Sequence, residues 1–244
     1  MQNLFKAARD DREVSSVGND LEQAVALQIE RRPIFQNAYF RSLSDGAMDK
    51  VGFQRSQAQF FFAVRFFARP MAALAARLPD SQARMALARN VGEEHGDFRG
   101  EQAHDQTFKK FLSSIGVTEE TLAATREGAE VRAFNQALMG TCAMAEPDLA
   151  FACLGIIEHT FAGISAEIGR AVTKRGWVDG GNLVHYTLHS ELDKRHAREF
   201  FDVVEPAWRL GGHRRRPIED GFSLGLYLFD RLYTDLSRIA AHPS

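Results

Sequence analysis

The stretch HSELDKRH, residues 189–196, sets His189, Asp193 and His196 at offsets of zero, four and seven. In a helix advancing about 100° and 1.5 Å per residue, these side chains fall within an arc of about 60° along two turns. They share one face, and His185, a turn upstream, joins it. A solvated polar face would account for the stripe, but Leu188, Leu192 and Phe200 flank it, so that side of the helix is not simply polar. The alternative is convergence on a metal ion.

Two other segments bear on that choice. In FACLGIIEHTFAGISAEIG, residues 151–169, Glu158 lies at helical spacing from Phe151, Leu154, Phe161 and Ala162, which puts a carboxylate on an apolar face. Burying it alone is costly, so it requires a cation, a hydrogen-bonding network or a changed protonation state; an arginine partner is the plain structural answer. In NVGEEHGDFRGEQAHDQTF, residues 90–108, Glu93, Glu94, Glu101 and His104 surround a glycine-marked break between two helices. With Glu94 closing one helix and His104 in the first turns of the next, both can face the centre of a bundle. Glu94, His104, Glu158, His189, Asp193 and His196 then make three carboxylates and three imidazoles. That donor set suits iron or manganese better than thiolate-seeking zinc or copper(I). Six side chains exceed the needs of one catalytic ion and would serve two, with Glu158 as bridge and positions left open for dioxygen and substrate.

The remaining sequence supplies a helical frame. Strand alternation is scarce, and apolar residues recur at three and four through Leu21, Ala24, Leu27, Ile34, Ala38 and Phe40, then again from about Asp49 to Leu78 with a kink expected at Pro70. Cap signals at Asp80-Ser81 and Thr118, and glycines at 96, 100 and 116, punctuate further helices. Helices over Pro147 to Lys174, Gly181 to Trp208 and Pro217 to Ala241 complete the pattern. The expectation is an all-α bundle of about seven or eight helices, one domain over residues 1–244 with 1–18 as a flexible leader.

Of the 244 residues, 45% are hydrophobic and 25% charged, and the net charge is −2, so nothing in bulk draws the chain to nucleic acid or an anionic membrane. The opening residues lack a signal-peptide core, and the apolar run FFFAVRFF at residues 60–67 is short and broken by Arg65. The expected location is cytoplasmic. Cys142 and Cys153 are too far apart for a CxxC motif and read as buried small hydrophobes.

The motifs NVGEE…H, LGIIEHTF and HSELDKRH together resemble those of the heme-oxygenase-like di-iron oxidases and oxygenases, by motif over about residues 90–201. The resemblance implies a heme-oxygenase-like bundle in which Glu94, His104, Glu158, His189, Asp193 and His196 hold two ferrous ions that react with dioxygen, with manganese as the other metal. Glu94 fits the family's N-x3-E pattern beginning at Asn90; some relatives place the first acid three residues before the histidine, which here is Glu101. Known chemistries of such proteins include N-oxygenation, oxidative decarboxylation, carbon–carbon cleavage and p-aminobenzoate formation from a tyrosine of the protein itself. Relatives with the last activity carry tyrosines where this chain has Ile157 and His185, which speaks against it.

A substrate pocket with a carboxylate clamp is expected from Phe61, Arg65 and Arg69, the two arginines one turn apart in a phenylalanine-rich helix. His185 reads as a residue behind the ligands, and Tyr186 with Tyr227 as a radical relay or plain packing. The expected partners are a small substrate, dioxygen, an external electron donor and a second copy of the chain. Three rival readings remain: a ferritin-like di-metal bundle, a cofactor-free enzyme resembling pyrroloquinoline quinone synthase or thiaminase II, and a binding protein without activity.

Overall fold

The computed structural model of the chain describes residues 20–178 and 183–242. The expected leader, 1–18, and the expected start of the motif helix at Gly181 lie outside the described residues.

Helix α1 spans residues 20–31. It is followed by α2 (Ala38–Asp45), α3 (Lys50–Val64), α4 (Ala68–Arg77), α5 (Ser81–Glu94), α6 (His104–Ile115), α7 (Glu119–Ala124) and α8 (Ala129–Met144). The long helices α9 (Pro147–Lys174), α10 (Val184–Leu210) and α11 (Arg215–Ala241) close the chain. The described residues contain no strand, and α9 is the hub, packed along most of its length against α10 and α11. It begins with Pro147 where a missing N–H costs nothing and carries Lys174 in its last turn, opposite the carbonyl-rich end of the dipole. Between them nearly every side chain from Ala150 to Phe161 is buried, Glu158 included and His159 excepted. By length and hydropathy α9 could span a membrane, but here α10 and α11 cover it.

Three expected helices are each broken in two, which is why the described residues show more helices than the spacing predicts. Pro33 separates α1 from α2, and Gly128 separates α7 from α8. The break anticipated at Pro70 falls earlier, at Arg65–Phe67, so that Pro70 sits in the first turn of α4. A proline there lacks only an N–H that has no intrahelical partner anyway, whereas a continuous helix would drive its ring into the carbonyl of Phe66.

The contact of α11 with α9 depends on two glycines. A methyl on Gly221 would lie 2.4 Å from the Leu149 carbonyl oxygen, and one on Gly225 would lie 2.5 Å from Ile156 Cγ2. Neither the backbone nor a β-branched side chain in a dense core gives way readily. Gly221→Ala is therefore expected to lower stability by about 1–3 kcal/mol. A fall in the urea midpoint at unchanged m-value is the expected observation, and an unmoved midpoint would contradict the close packing.

Candidate metal centre

Four helices deliver the six side chains. His189, Asp193 and His196 lie on one buried face of α10 with His185, and Glu158 faces them from α9. Glu94 is the last residue of α5 and His104 the first of α6. The chain between them turns sharply through Gly96, Asp97 and Phe98, all with positive φ (65°, 51° and 66°), and this return brings Glu94 and His104 together.

Glu94 Oε1 stands 2.9 Å from His104 Nδ1. The His104 and His189 rings are 4.4 Å apart between centroids. His189 Nδ1 pairs with Asp193 Oδ1 at 2.7 Å. His196 turns Nδ1 inward, 3.8 Å from Glu158 Oε2 and 4.0 Å from Asp193 Oδ1. Ligand atoms of Glu158, Asp193 and His196 all lie within 4.8 Å of one another.

The decisive feature is what these atoms lack. Glu158 Oε1, Asp193 Oδ2, His104 Nδ1, His189 Nε2 and His196 Nδ1 are buried without a hydrogen-bond partner. Folded proteins hydrogen-bond such groups almost without exception, and here five nitrogen and oxygen atoms without a hydrogen bond share one site, His104 Nδ1 having only the Glu94 carboxylate beside it. The donor set fits iron or manganese.

Protonation follows from the same crowding. Burial, with Asp193 beside it, pushes the Glu158 carboxyl up to about 7. Burial also raises Asp193 well above the carboxylate range. Burial and the neighbouring His104 drive His189 down to about 3. For His196 burial works the other way, but Glu158 and Glu93 carry it up to about 10. Glu94 is lowered and His104 raised, each by the other against the effect of burial. Protons thus hold places that a cation would take.

The alternative first acid does not reach the cluster: Glu101 is exposed in a short 3-10 turn, where its carbonyl accepts from Lys110 Nζ. His185 is fully buried behind the ligands, its ring 4.3 Å from that of His189. The Thr107 hydroxyl gives its proton to the His104 carbonyl, so His185 Nδ1, 3.2 Å from Thr107 Oγ1, is the donor in that contact. Its Nε2 is left without a partner beside a cavity of about 40 Å³. Glu94, His104, Glu158 and His189 line this cavity together with Phe60, Phe67, Phe134, Phe161 and Phe229.

The residues expected to form a carboxylate clamp do not line the cavity at the centre. Phe61, Arg65 and Arg69 line a separate open groove, because residues adjacent on a helix diverge by about 100°: Phe60 and Val64 point to the cavity, Phe61 and Arg65 away from it. Nor do Tyr186 and Tyr227 form a relay. Tyr186 donates to Gln57, whereas Tyr227 is half exposed under Arg32.

Sequence reasoning passed over Glu93. Its Oε2 lies 2.5 Å from His196 Nε2 and 2.6 Å from Arg195 Nη2. The signal was the acid doublet at a helix end, whose two side chains diverge enough to approach the cluster from different sides.

The arrangement is that of a heme-oxygenase-like helical protein with a buried carboxylate–imidazole centre. Solved structures agree on the fold: a protein of heme oxygenase-like fold from Shewanella denitrificans superposes with a TM-score of 0.73 at 16% identity, covering 90% of this chain and 91% of that one. A CADD-like protein from Nostoc punctiforme gives 0.76 at 13% identity, covering 93% and 100%. Residues 54–229 match the family described as iron-containing redox enzyme, and the chain belongs to that family. It is 26% identical over 188 residues to a 4-aminobenzoate synthase of Chlamydia trachomatis, covering 77% of this chain and 80% of that one. It is 24% identical over 178 residues to the 4-aminobenzoate synthase of Chlamydia pneumoniae, covering 73% and 78%.

Two outcomes are expected. Glu158 below about 7 and His196 below about 10 are protonated and compete with a cation, so metal entry releases protons and Mn2+ affinity rises with pH through about 7. Titrations at stepped pH check this, and a flat profile would contradict it. Glu93→Gln, which weakens the support of His196, is expected to lower Mn2+ affinity by about 10–100-fold with the fold intact; affinity equal to the parent protein's would remove Glu93 from the centre.

Proposed function

We propose that the chain is a dioxygen-dependent non-heme di-iron oxidase or oxygenase acting on a small organic substrate. The observation that carries this reading is the set of buried, unpaired donors arranged in two groups around Glu158. Glu158, Asp193 and His196 would hold one iron, and Glu94, His104 and His189 the other. Ferrous iron, when bound, supplies electrons for the activation of dioxygen. Manganese suits the same donors.

The protein's own groups divide the remaining work. Asp193 accepts from His189 Nδ1–H and so leaves Nε2 free to ligate. Glu93 does the same for His196, leaving Nδ1 free. Because the second group, but not Asp193 or His196, borders the cavity, substrate meets the centre on the side of Glu94, His104 and His189. The phenylalanine walls exclude water and receive an apolar group; at about 40 Å³ the space takes only its reacting end. His185, whose pKa burial drives well below the usual range, stays neutral and offers Nε2 as an acceptor there.

The substrate is a separate molecule rather than a tyrosine of the chain. Ile157 and His185 occupy the positions that p-aminobenzoate-forming relatives fill with tyrosine, and the nearby Tyr186 hydroxyl is engaged by Gln57. With both cysteines free and buried, the reading places the enzyme in a reducing compartment, the cytoplasm.

Anaerobic titration with ferrous iron, followed by rapid mixing with oxygenated buffer, tests the proposal. The expected result is about two irons per chain and a transient absorption change, both diminished in Glu158→Ala. Absence of stoichiometric iron uptake would sink the reading in favour of cofactor-free chemistry on the same fold.

A further inference from the structure

The groove that receives Arg65 and Arg69 has a use of its own. It is open, about 940 Å³ in volume, and bordered by α3, α6 and α7, with Lys109 and Lys110 completing four cations against Asp105 and Glu119. None of the four makes an ion pair among the described residues. The Arg65 guanidinium lies 5.8 Å over each of the Phe61 and Phe62 rings, Arg69 lies 5.3 Å over Phe66, and Lys109 Nζ lies 5.8 Å over Phe61. Three of the four charges rest against phenyl faces, and Lys110 donates to the Glu101 carbonyl. The four form a broad positive face, which suits an acidic protein surface.

The floor of the groove points to the kind of protein. The Phe61 ring stacks on Phe108 at 6.4 Å with an interplanar angle of 11°. Phe108 lies 4.7 Å from the His185 ring, and His185 lies 4.3 Å from His189. Aromatic rings thus run without interruption from the positive face to a candidate iron ligand.

We propose that this groove docks an acidic one-electron carrier protein, which reduces the metal centre across Phe61, Phe108 and His185. The proposal rests on the di-iron reading. An oxygenation inserts one oxygen atom of dioxygen into a C–H or N–H bond of the substrate and releases the other as water, taking up two electrons and two protons. Two molecules of reduced carrier, each oxidised by one electron, supply the electrons, and the protons come from solvent.

A plant-type [2Fe–2S] ferredoxin serves as the acidic probe. Calorimetry of oxidised ferredoxin with the full chain at low salt is expected to show binding that weakens at least about tenfold in an Arg65→Glu/Lys109→Glu variant. These side chains reach solvent, and an unchanged circular dichroism spectrum confirms the fold. With iron loaded, reduced ferredoxin is expected to transfer electrons at a rate that falls as salt rises from about 50 to 500 mM, and about tenfold more slowly to the variant. Reduced methyl viologen, a small cation, is not slowed by the substitutions. Equal binding and equal rates in both proteins, or no binding at all, would overturn the docking surface. Ferredoxin binding without iron uptake would instead retain the surface and overturn the di-iron reading.

Discussion

Three carboxylates and three imidazoles are held out of water in the middle of an apolar bundle, and the arrangement of α5, α6, α9 and α10 turns on how that burial is compensated. An isolated charge in such an interior is costly enough that the group changes protonation or finds a partner. Here the groups do both: Glu158 and Asp193 are pushed towards the neutral form, His196 takes a proton between two carboxylates, and five buried donor atoms still make no hydrogen bond. Divalent cations bound among these donors, as the proposed function requires, would resolve the excess. Removing one partner from such a set leaves the others stranded, so the six residues act as a unit rather than as a sum of pairs.

The rest of the fold keeps that unit dry and asymmetric. Close approach of α11 at Gly221 and Gly225 seats Phe229 against Phe161, with ring centroids 5.9 Å apart, and so closes one wall of the cavity. The group formed by Asp193 and His196 is set back from this cavity and supported by Glu93, itself held by Arg195 at the surface. The group formed by Glu94, His104 and His189 opens onto it. In the proposed reading one half of the centre retains a metal and the other meets the substrate. A second asymmetry comes from α3, which sends Phe60 to the cavity and Phe61 and Phe62 to the positive groove.

Much of this was legible in the sequence because the decisive residues lie on long, regular helices. Periodicity alone put His189, Asp193 and His196 on one face, and a carboxylate at helical spacing from phenylalanines marked Glu158. The choice of Glu94 over Glu101 rested on the resemblance alone, because helical periodicity does not show the three consecutive positive-φ residues that fold the chain back on itself. The clamp assigned to Arg65 and Arg69 failed for a related reason: a helix shows which residues share a face but not which neighbour that face meets. Glu93 was missed because its role lies in a contact with the far nitrogen of His196, more than a hundred residues along the chain.

The central claim is that two metal ions neutralise this cluster. Anomalous diffraction from crystals of the manganese- or iron-loaded protein, recorded at the edge of the metal used, tests it most directly. The account predicts two peaks per chain, one among Glu158, Asp193 and His196 and one beside Glu94 and His104. A map with no peak there, or with a single peak at full loading, would contradict it.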